Sequence, residues 1–348
     1  MRPSELSEVL TNVLRNGVKT PVVILGGTGI GKSSIVAQAA QANEMQMIDV
    51  RLGQLAPTDL RGLPVADLTH DTFRYLPASF LPKGGNGVLF MDEWNMAPPA
   101  VQQLMQQLTL DRKMGDYELP DGWVVWAAGN RLKDGATVYK MPGPLANRFI
   151  HLEVDPDSED TINYGFEKNW HESVIAFLKT NPGCLHVTTL PENTQKNIGN
   201  AFPSPRSWET VSKLMNAKLP NLVEGTIGSA TAAMFNGFRK VYQSMPDPDA
   251  ILSGKLKEFA IDTSNLGTVW AVTFALATRV LSGKGGPPAH SKRMQCLVHF
   301  LHDNMNDVAS EGLGLVWAML QGKMDMATRS LNAKICETDK IFESYLKV

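Results

Sequence analysis

The feature that most constrains this chain is Gly26-Gly27-Thr28-Gly29-Ile30-Gly31-Lys32-Ser33. It follows an apolar run, Pro21 to Leu25, and opens a helix-like run from Ser34 to Ala40. The pattern is G-x-x-x-x-G-K-[ST] between a strand and a helix N-terminus, the context in which it carries meaning. Glycines let the backbone curl so that its N–H groups converge and approach phosphate oxygens closely. The helix start adds unpaired donors and a partial positive charge aimed at the same anion. Residues Gly26 through Ser34 are therefore expected to line a nucleotide-phosphate cradle. Lys32 would reach the β- and γ-phosphates, and Ser33 would offer its hydroxyl to Mg²⁺.

A second stretch turns binding towards hydrolysis. Val88-Leu89-Phe90-Met91 reads as a strand buried on both faces, and Asp92-Glu93 follows at its carboxyl end. Asp92 is expected to share Mg²⁺ with Ser33, and Glu93 to polarise the attacking water. The strand Trp123 to Ala128 ends in Gly129-Asn130, which puts a carboxamide where it could orient the γ-phosphate or the water. Arg148, at the mouth of a strand over residues 148 to 152, and Arg206, near a helix start in the second half, are the arginines singled out for charge stabilisation.

Strands alternate with helices up to Asp155-Pro156-Asp157, which predicts an α/β domain with a parallel sheet. A first amphipathic helix is expected over residues 4 to 16 with Ser4 as its N-cap, a second strand from Gln46 to Leu52, and a helix from Pro98 to Leu108. Residues 53 to 86 are irregular and rich in proline and glycine, with one alternating run, Thr72 to Leu76, and residues 111 to 120 read as a hairpin-like insert. After residue 155 amphipathic helices dominate. The expected division is a nucleotide-binding domain over 1–154, a helical lid over 155–245 and a helical extension over 246–348.

At 348 residues and a net charge of −2, no general nucleic-acid surface is advertised. The three cysteines, Cys184, Cys296 and Cys336, are far apart without metal spacing and read as buried thiols in a reducing compartment. The N-terminus lacks the apolar core of a signal peptide, and the apolar run 266–281 is too short and polar to span a bilayer, so a cytoplasmic location without membrane contact is expected. His299 and His302 lie three apart on an expected helix, but no third ligand has matching spacing, so they are not read as a metal site.

Taken together these motifs resemble an AAA+ ATPase, and within it the MoxR-like, dynein-related group. The resemblance runs over about residues 18 to 245: Gly26 to Ser33 as Walker A, Met91-Asp92-Glu93 as Walker B, Asn130 as sensor 1 and Ser204-Pro205-Arg206 as sensor 2. Asp92 to Pro99 with Gln102-Gln103-Leu104-Met105, and Thr58-Asp59-Leu60-Arg61-Gly62, are similar to further signatures of that group. It implies a P-loop NTPase core with a parallel five-stranded sheet in the order 5-1-4-3-2, an all-helical lid and a helical C-terminal region. It also implies ATP and Mg²⁺ bound between protomers of a hexameric ring that remodels or activates a partner, often a protein with a von Willebrand factor A-type domain. Arg148 would then be the arginine finger, with Arg131 competing for that role. Phe73, Arg74, Tyr75, Arg112, Lys113 and Tyr117 on the two inserts would face the ring axis towards the partner. Alternatives are a nucleic-acid-associated motor of a restriction or defence type, and a scaffold that binds ATP without turnover.

Overall fold

The apolar runs pair into one parallel sheet. In a computed structural model, the described residues are 1–68, 70–131, 139, 141, 143–187, 201–243, 247–256 and 287–305, with 272, 273, 276, 279, 280, 332, 339 and 340. Five strands, β1 (Val22–Gly26), β2 (Gln46–Arg51), β5 (Gly87–Asp92), β8 (Trp123–Gly129) and β9 (Ile150–Val154), lie in the order β2-β5-β8-β1-β9. Every pairing is parallel. Numbered among themselves, the five core strands run 5-1-4-3-2, the order the resemblance implies.

Burial on both faces explains why these strands read as continuous apolar runs. All seven residues of β8 are buried, and β5 is buried until Asp92. Side chains alternate between two cores. Val22 and Ile24 face α1 (Pro3–Arg15) and α2 (Lys32–Ala42), packing with Leu6, Leu10, Val36, Phe90 and Trp126. Val23, Leu89, Met91 and Val125 face the other side, against Trp94, Phe149 and the α4 (Pro99–Asp111) residues Val101, Met105 and Leu108.

Several boundaries shift. Helix α1 starts one residue early, with Arg2 rather than Ser4 at its N-cap, because Pro3 sits comfortably in the first turn and Glu5 accepts from the Arg2 amide at 3.0 Å. Helix α4 runs on through Asp111 and stops where Arg112 turns left-handed at φ 56°. Strand β9 begins at Ile150, because the Arg148 and Phe149 amides donate to Leu145 and Ala146 at the end of the short helix α5 (Gly143–Ala146). Arg148 thus stands on a turn.

The inserts are two hairpins. One pairs β3 (Leu63–Asp67) with β4 (Thr72–Leu76), and the other pairs β6 (Lys113–Met114) with β7 (Tyr117–Glu118). A short helix, α3 (Pro57–Arg61), precedes the first. Phe73 and Arg74 are exposed and Lys113 pairs with Glu118 at 3.6 Å. Arg112 and Tyr117 are structural instead. Arg112 donates to the carbonyls of Pro120 and Trp123, and the buried Tyr117 hydroxyl donates to Pro82 O at 2.7 Å.

The described residues form two compact units: Met1–Asp160 with residues 186–187 and Ser204–Arg206, and Thr161–Leu185 with residues 201–203 and those from Ser207 onward. In the second, α6 (Ser158–Glu167, entering it at Thr161), α7 (Glu172–Thr180), α8 (Pro205–Asn216, from Ser207), α9 (Glu224–Ile227) and α10 (Ser229–Gln243) enclose Phe177, Trp208 and Phe235, with ring centroids 5.3 to 5.6 Å apart. Helices α11 (Pro248–Leu252) and α12 (Pro287–Met305) follow. No described strand lies in this unit. Cys184 and Cys296 are outside any disulfide and half-buried rather than fully buried; Cys336 lies outside the described residues. Of the apolar run 266–281, Val272, Thr273, Leu276 and Val280 are buried, and most of the rest lies outside the described residues. Among the described residues, no helix is long and apolar enough to cross a membrane.

Candidate active site

The sheet order places β8 between β5 and β1, so Asp92 and Asn130 flank the loop that leaves β1. That edge, at the carboxyl ends of the strands, is where open α/β sheets bind ligands. Gly31 caps α2 at φ +93°, a left-handed conformation that side-chain-bearing residues rarely adopt. The turn delivers Lys32 and Ser33 to the first positions of the helix.

Hydrogen bonds hold Lys32, which is 8% exposed. Its Nζ donates to the carbonyls of Gly26 and Gly27, both at 2.9 Å, and to Asn130 Oδ1 at 3.1 Å. Ser33 Oγ donates to Asp92 Oδ2 at 2.6 Å, and Asp92 Oδ1 accepts from the Glu93 amide at 2.8 Å. Both carboxylate oxygens of Asp92 are thereby oriented. Glu93 stands at φ 56°, in the left-handed region, and leads into the single 3₁₀ turn Trp94–Met96. A Cβ added at Gly53 would lie 3.3 Å from Glu93 Oε2, so the absence of a side chain there leaves the carboxylate its room.

Asp49, on β2, adds a third carboxyl near the acidic pair. Partial desolvation raises its pKa from the ordinary aspartate value, although the residue as a whole is exposed; the negative charges of Asp92 and Glu93 add to this and Arg51 opposes it.

Two further segments cover the outer side of the loop. The Arg206 amide donates to Gly29 O at 3.1 Å, and the buried Ser204 lies so close that a Cβ on Gly29 would meet its Oγ at 2.7 Å. His186 Nε2 bonds Thr28 O at 3.0 Å, which requires the tautomer with hydrogen on Nε2.

Lys32, Ser33, Asp92, Glu93 and Asn130 are thus brought together, with the Arg206 backbone at the loop. Arg148 is not. Ile150 pairs with Val22, four residues before Gly26, so Arg148 lies towards the amino edge of the sheet, roughly 13 Å or more from the loop. It is exposed. Arg131 Nη1 bonds Asp155 Oδ1 at 2.5 Å and its side chain is only 10% exposed, so it is engaged within its own chain.

Gly53 and His186 had no role in the reading of the sequence. Asn95 had appeared there only as part of a signature; an asparagine in a turn is ordinary, and only its place two residues after Asp92-Glu93 could have drawn notice. His299 Nε2 bonds Asp339 Oδ2 at 2.7 Å, and Gln295 donates to the same oxygen. Among the described residues no group of three or more His, Cys, Asp or Glu could hold a metal ion.

No family model matches the chain. Among curated proteins, Midasin from Giardia intestinalis is 26% identical over 144 residues, covering 39% of this chain. Midasin from Dictyostelium discoideum is 30% identical over 158 residues, covering 41%. The chain spans 3% of the length of each of these relatives. Among solved structures, a mutant RuvB from Thermotoga maritima shows 16% identity and a TM-score of 0.42, over 80% of this chain and 83% of that one. NtrX from Brucella abortus in complex with ADP shows 12% identity and a TM-score of 0.42, over 89% and 65%. Likenesses at this level say nothing of activity. The chain has an α/β P-loop NTPase fold, with a parallel five-stranded sheet in the order 5-1-4-3-2.

Proposed function

We propose that this chain binds ATP with Mg²⁺ and hydrolyses it as a ring-forming, MoxR-like AAA+ ATPase, using the cycle to remodel or activate a partner protein. The observation that carries this reading is the link from Ser33 to Asp92 at 2.6 Å beside the link from Lys32 to Asn130 at 3.1 Å. These contacts join the phosphate loop to the ends of both strands that a hydrolytic site needs. A glycine-rich turn used only for structure has no reason to set a carboxylate against its serine and a carboxamide against its lysine.

The donor set suits Mg²⁺. A hydroxyl and a carboxylate oxygen are hard ligands, and this ion commonly takes one or two protein oxygens, with substrate phosphates and water completing its shell. Ser33 and Asp92 would hold it, and when bound it would neutralise charge on the β- and γ-phosphates. The N–H groups of residues 27 to 33 bind the phosphate oxygens, and Lys32 exchanges its carbonyl partners for them. Asn130 holds the Lys32 ammonium in place and offers its carboxamide to the γ-phosphate. Glu93 accepts a proton from the attacking water. Arg148, exposed and far from its own loop, would be supplied to a neighbouring protomer, and a hexameric ring is the assembly we expect. The exposed Phe73 and Arg74 would serve the partner, for which a von Willebrand factor A-type domain is the leading class.

Phosphate release from ATP tests the reading. Wild type should hydrolyse ATP only with Mg²⁺, Lys32→Ala should lose nucleotide binding, and Glu93→Gln should bind ATP but turn it over about 10²- to 10⁴-fold more slowly. Equal release by wild type and Glu93→Gln would overturn hydrolysis at this site. Strong stimulation by DNA would move the task to that of a nucleic-acid motor.

A further inference from the structure

We infer that Asn95 is the residue that positions Asn130, and through it Lys32; the inference rests on the ATPase reading of this site and adds to it. Asn95 Nδ2 donates to Asn130 O at 2.6 Å, and the Asn130 amide donates to Asn95 Oδ1 at 3.2 Å. One carboxamide thus satisfies both backbone polar groups of Asn130. Asn95 is 8% exposed, and its own carbonyl accepts from the Tyr139 amide at 2.7 Å.

The topology explains why such a clamp is needed. The β5–β8 ladder ends at the pair Met91↔Ala127, because Glu93 turns the chain away in the left-handed region. Continued in register, β5 would have met Gly129 and Asn130. The turn at Glu93 therefore removes the strand partner that would have fixed Asn130. Asn95, two residues on, returns a side-chain amide that is chemically a peptide group and takes that partner's place. Gly129 makes the approach possible, since a Cβ there would lie 2.5 Å from Asn95 Oδ1. The chain of contacts then runs from Asn95 through the Asn130 backbone to Asn130 Oδ1 and Lys32 Nζ. Asn95 touches no expected substrate atom, so its role is positioning.

Three variants separate this from a role in folding alone. Asn95→Asp keeps the shape and one acceptor but sets an oxygen against Asn130 O. Asn95→Ala removes both bonds, and Gly129→Ala displaces the carboxamide without changing it. Each should retain ADP affinity within about twofold while kcat falls about 10- to 100-fold, the cost of a slightly misplaced catalytic group. In an Asn130→Ala background, Asn95→Asp should lower kcat no further. An unchanged kcat, a fall that multiplies with that of Asn130→Ala, or a loss of ADP affinity matching the loss of kcat would overturn the inference.

A readout independent of turnover is hydrogen exchange at the Asn130 amide. It should quicken at least about tenfold in Asn95→Ala, which removes the acceptor of that amide, the effect of losing one buried hydrogen bond, while the β8 amides before it stay protected. If wild type released no phosphate, the ATPase reading would fail and exchange alone would decide the clamp. Quickening confined to Asn130 would support it, and unchanged or uniformly faster exchange would sink it.

Discussion

Glu93 shows what single residues contribute to this molecule and what they cost it. A side chain at φ 56° is strained by about 1 to 2 kcal/mol relative to glycine. Part of that advantage is cancelled because glycine loses more freedom on folding. Glu93→Gly is therefore expected to leave the sheet unit unharmed or up to about 1 kcal/mol more stable in urea unfolding, while abolishing phosphate release. Glu93→Gln keeps the strain and should show no such gain, so the pair of variants separates backbone strain from chemistry. Gly53→Ala supplies a complementary test. Its new Cβ would stand 3.3 Å from Glu93 Oε2, close enough to press on the carboxylate, and should lower kcat while ADP affinity, measured by calorimetry, stays the same. The residues proposed to face phosphate or water were legible in the sequence, because that chemistry restricts each position to one or two residue types. Lys32, Ser33, Asp92 and Asn130 are of this kind, and hydrogen bonds bring them together. Asn95 and Gly53 were not legible, because they act on their neighbours through space and a turn asparagine or a glycine has many ordinary uses.

At the scale of elements, legibility followed burial. Strands β5 and β8 are apolar throughout and were visible as such, whereas β3 was missed: both its faces are largely exposed, and Pro64 masks its alternation. The start of β9 was misplaced because Arg148 and Phe149 bond backward to α5, a competition that no local pattern records. The cap of α7 makes a pH prediction. His171 Nδ1 accepts from the Ser173 amide at 3.2 Å, which only an unprotonated nitrogen can do. Burial holds this imidazole below its ordinary value near 6.5, Glu172 pulls it part of the way back, and Arg239 lowers it further. Unfolded His171 therefore binds a proton at a pH where the folded residue does not. Its contribution to stability is full above about pH 6.5 and is lost as pH falls from there to the folded value, at no more than about 1.4 kcal/mol per pH unit. Urea midpoints of the helical unit should drop between pH 7.5 and 5.5, and His171→Asn, which caps without titrating, should flatten that drop. The hairpin β6–β7 makes a second prediction. Tyr117→Phe strips the buried Pro82 carbonyl of its donor and should cost about 1 to 3 kcal/mol in urea unfolding of the sheet unit. The phenol itself, pushed up to about 12 chiefly by burial, stays protonated across the usable pH range, so this loss should not vary with pH.

At the scale of the whole molecule, the sheet order decides which site residues one chain can unite and which it cannot. The order 5-1-4-3-2 puts Asp92 and Asn130 beside the phosphate loop because β8 and β5 are successive neighbours of β1. The same order pairs β9 in parallel with β1, which sends the residues preceding β9 to the opposite edge. Arg148 therefore cannot serve its own loop without dismantling the strand that holds it. Arg131, the nearer candidate, is committed to Asp155. We propose that an arginine finger reaching this site would be Arg148 of another protomer, and this can be tested without knowing the partner protein. Arg148→Ala protomers keep an intact loop and acidic pair but offer no finger. Glu93→Gln protomers offer the finger but cannot hydrolyse. Each preparation alone should be nearly inactive. Mixed in equal amounts and allowed to exchange subunits, they should recover about a quarter of wild-type turnover, since half the protomers keep a working loop and half of those face a neighbour with Arg148. Recovery should grow with protein concentration as rings assemble. No recovery on mixing, or an Arg148→Ala protein as active as wild type, would show that the site is complete within one chain.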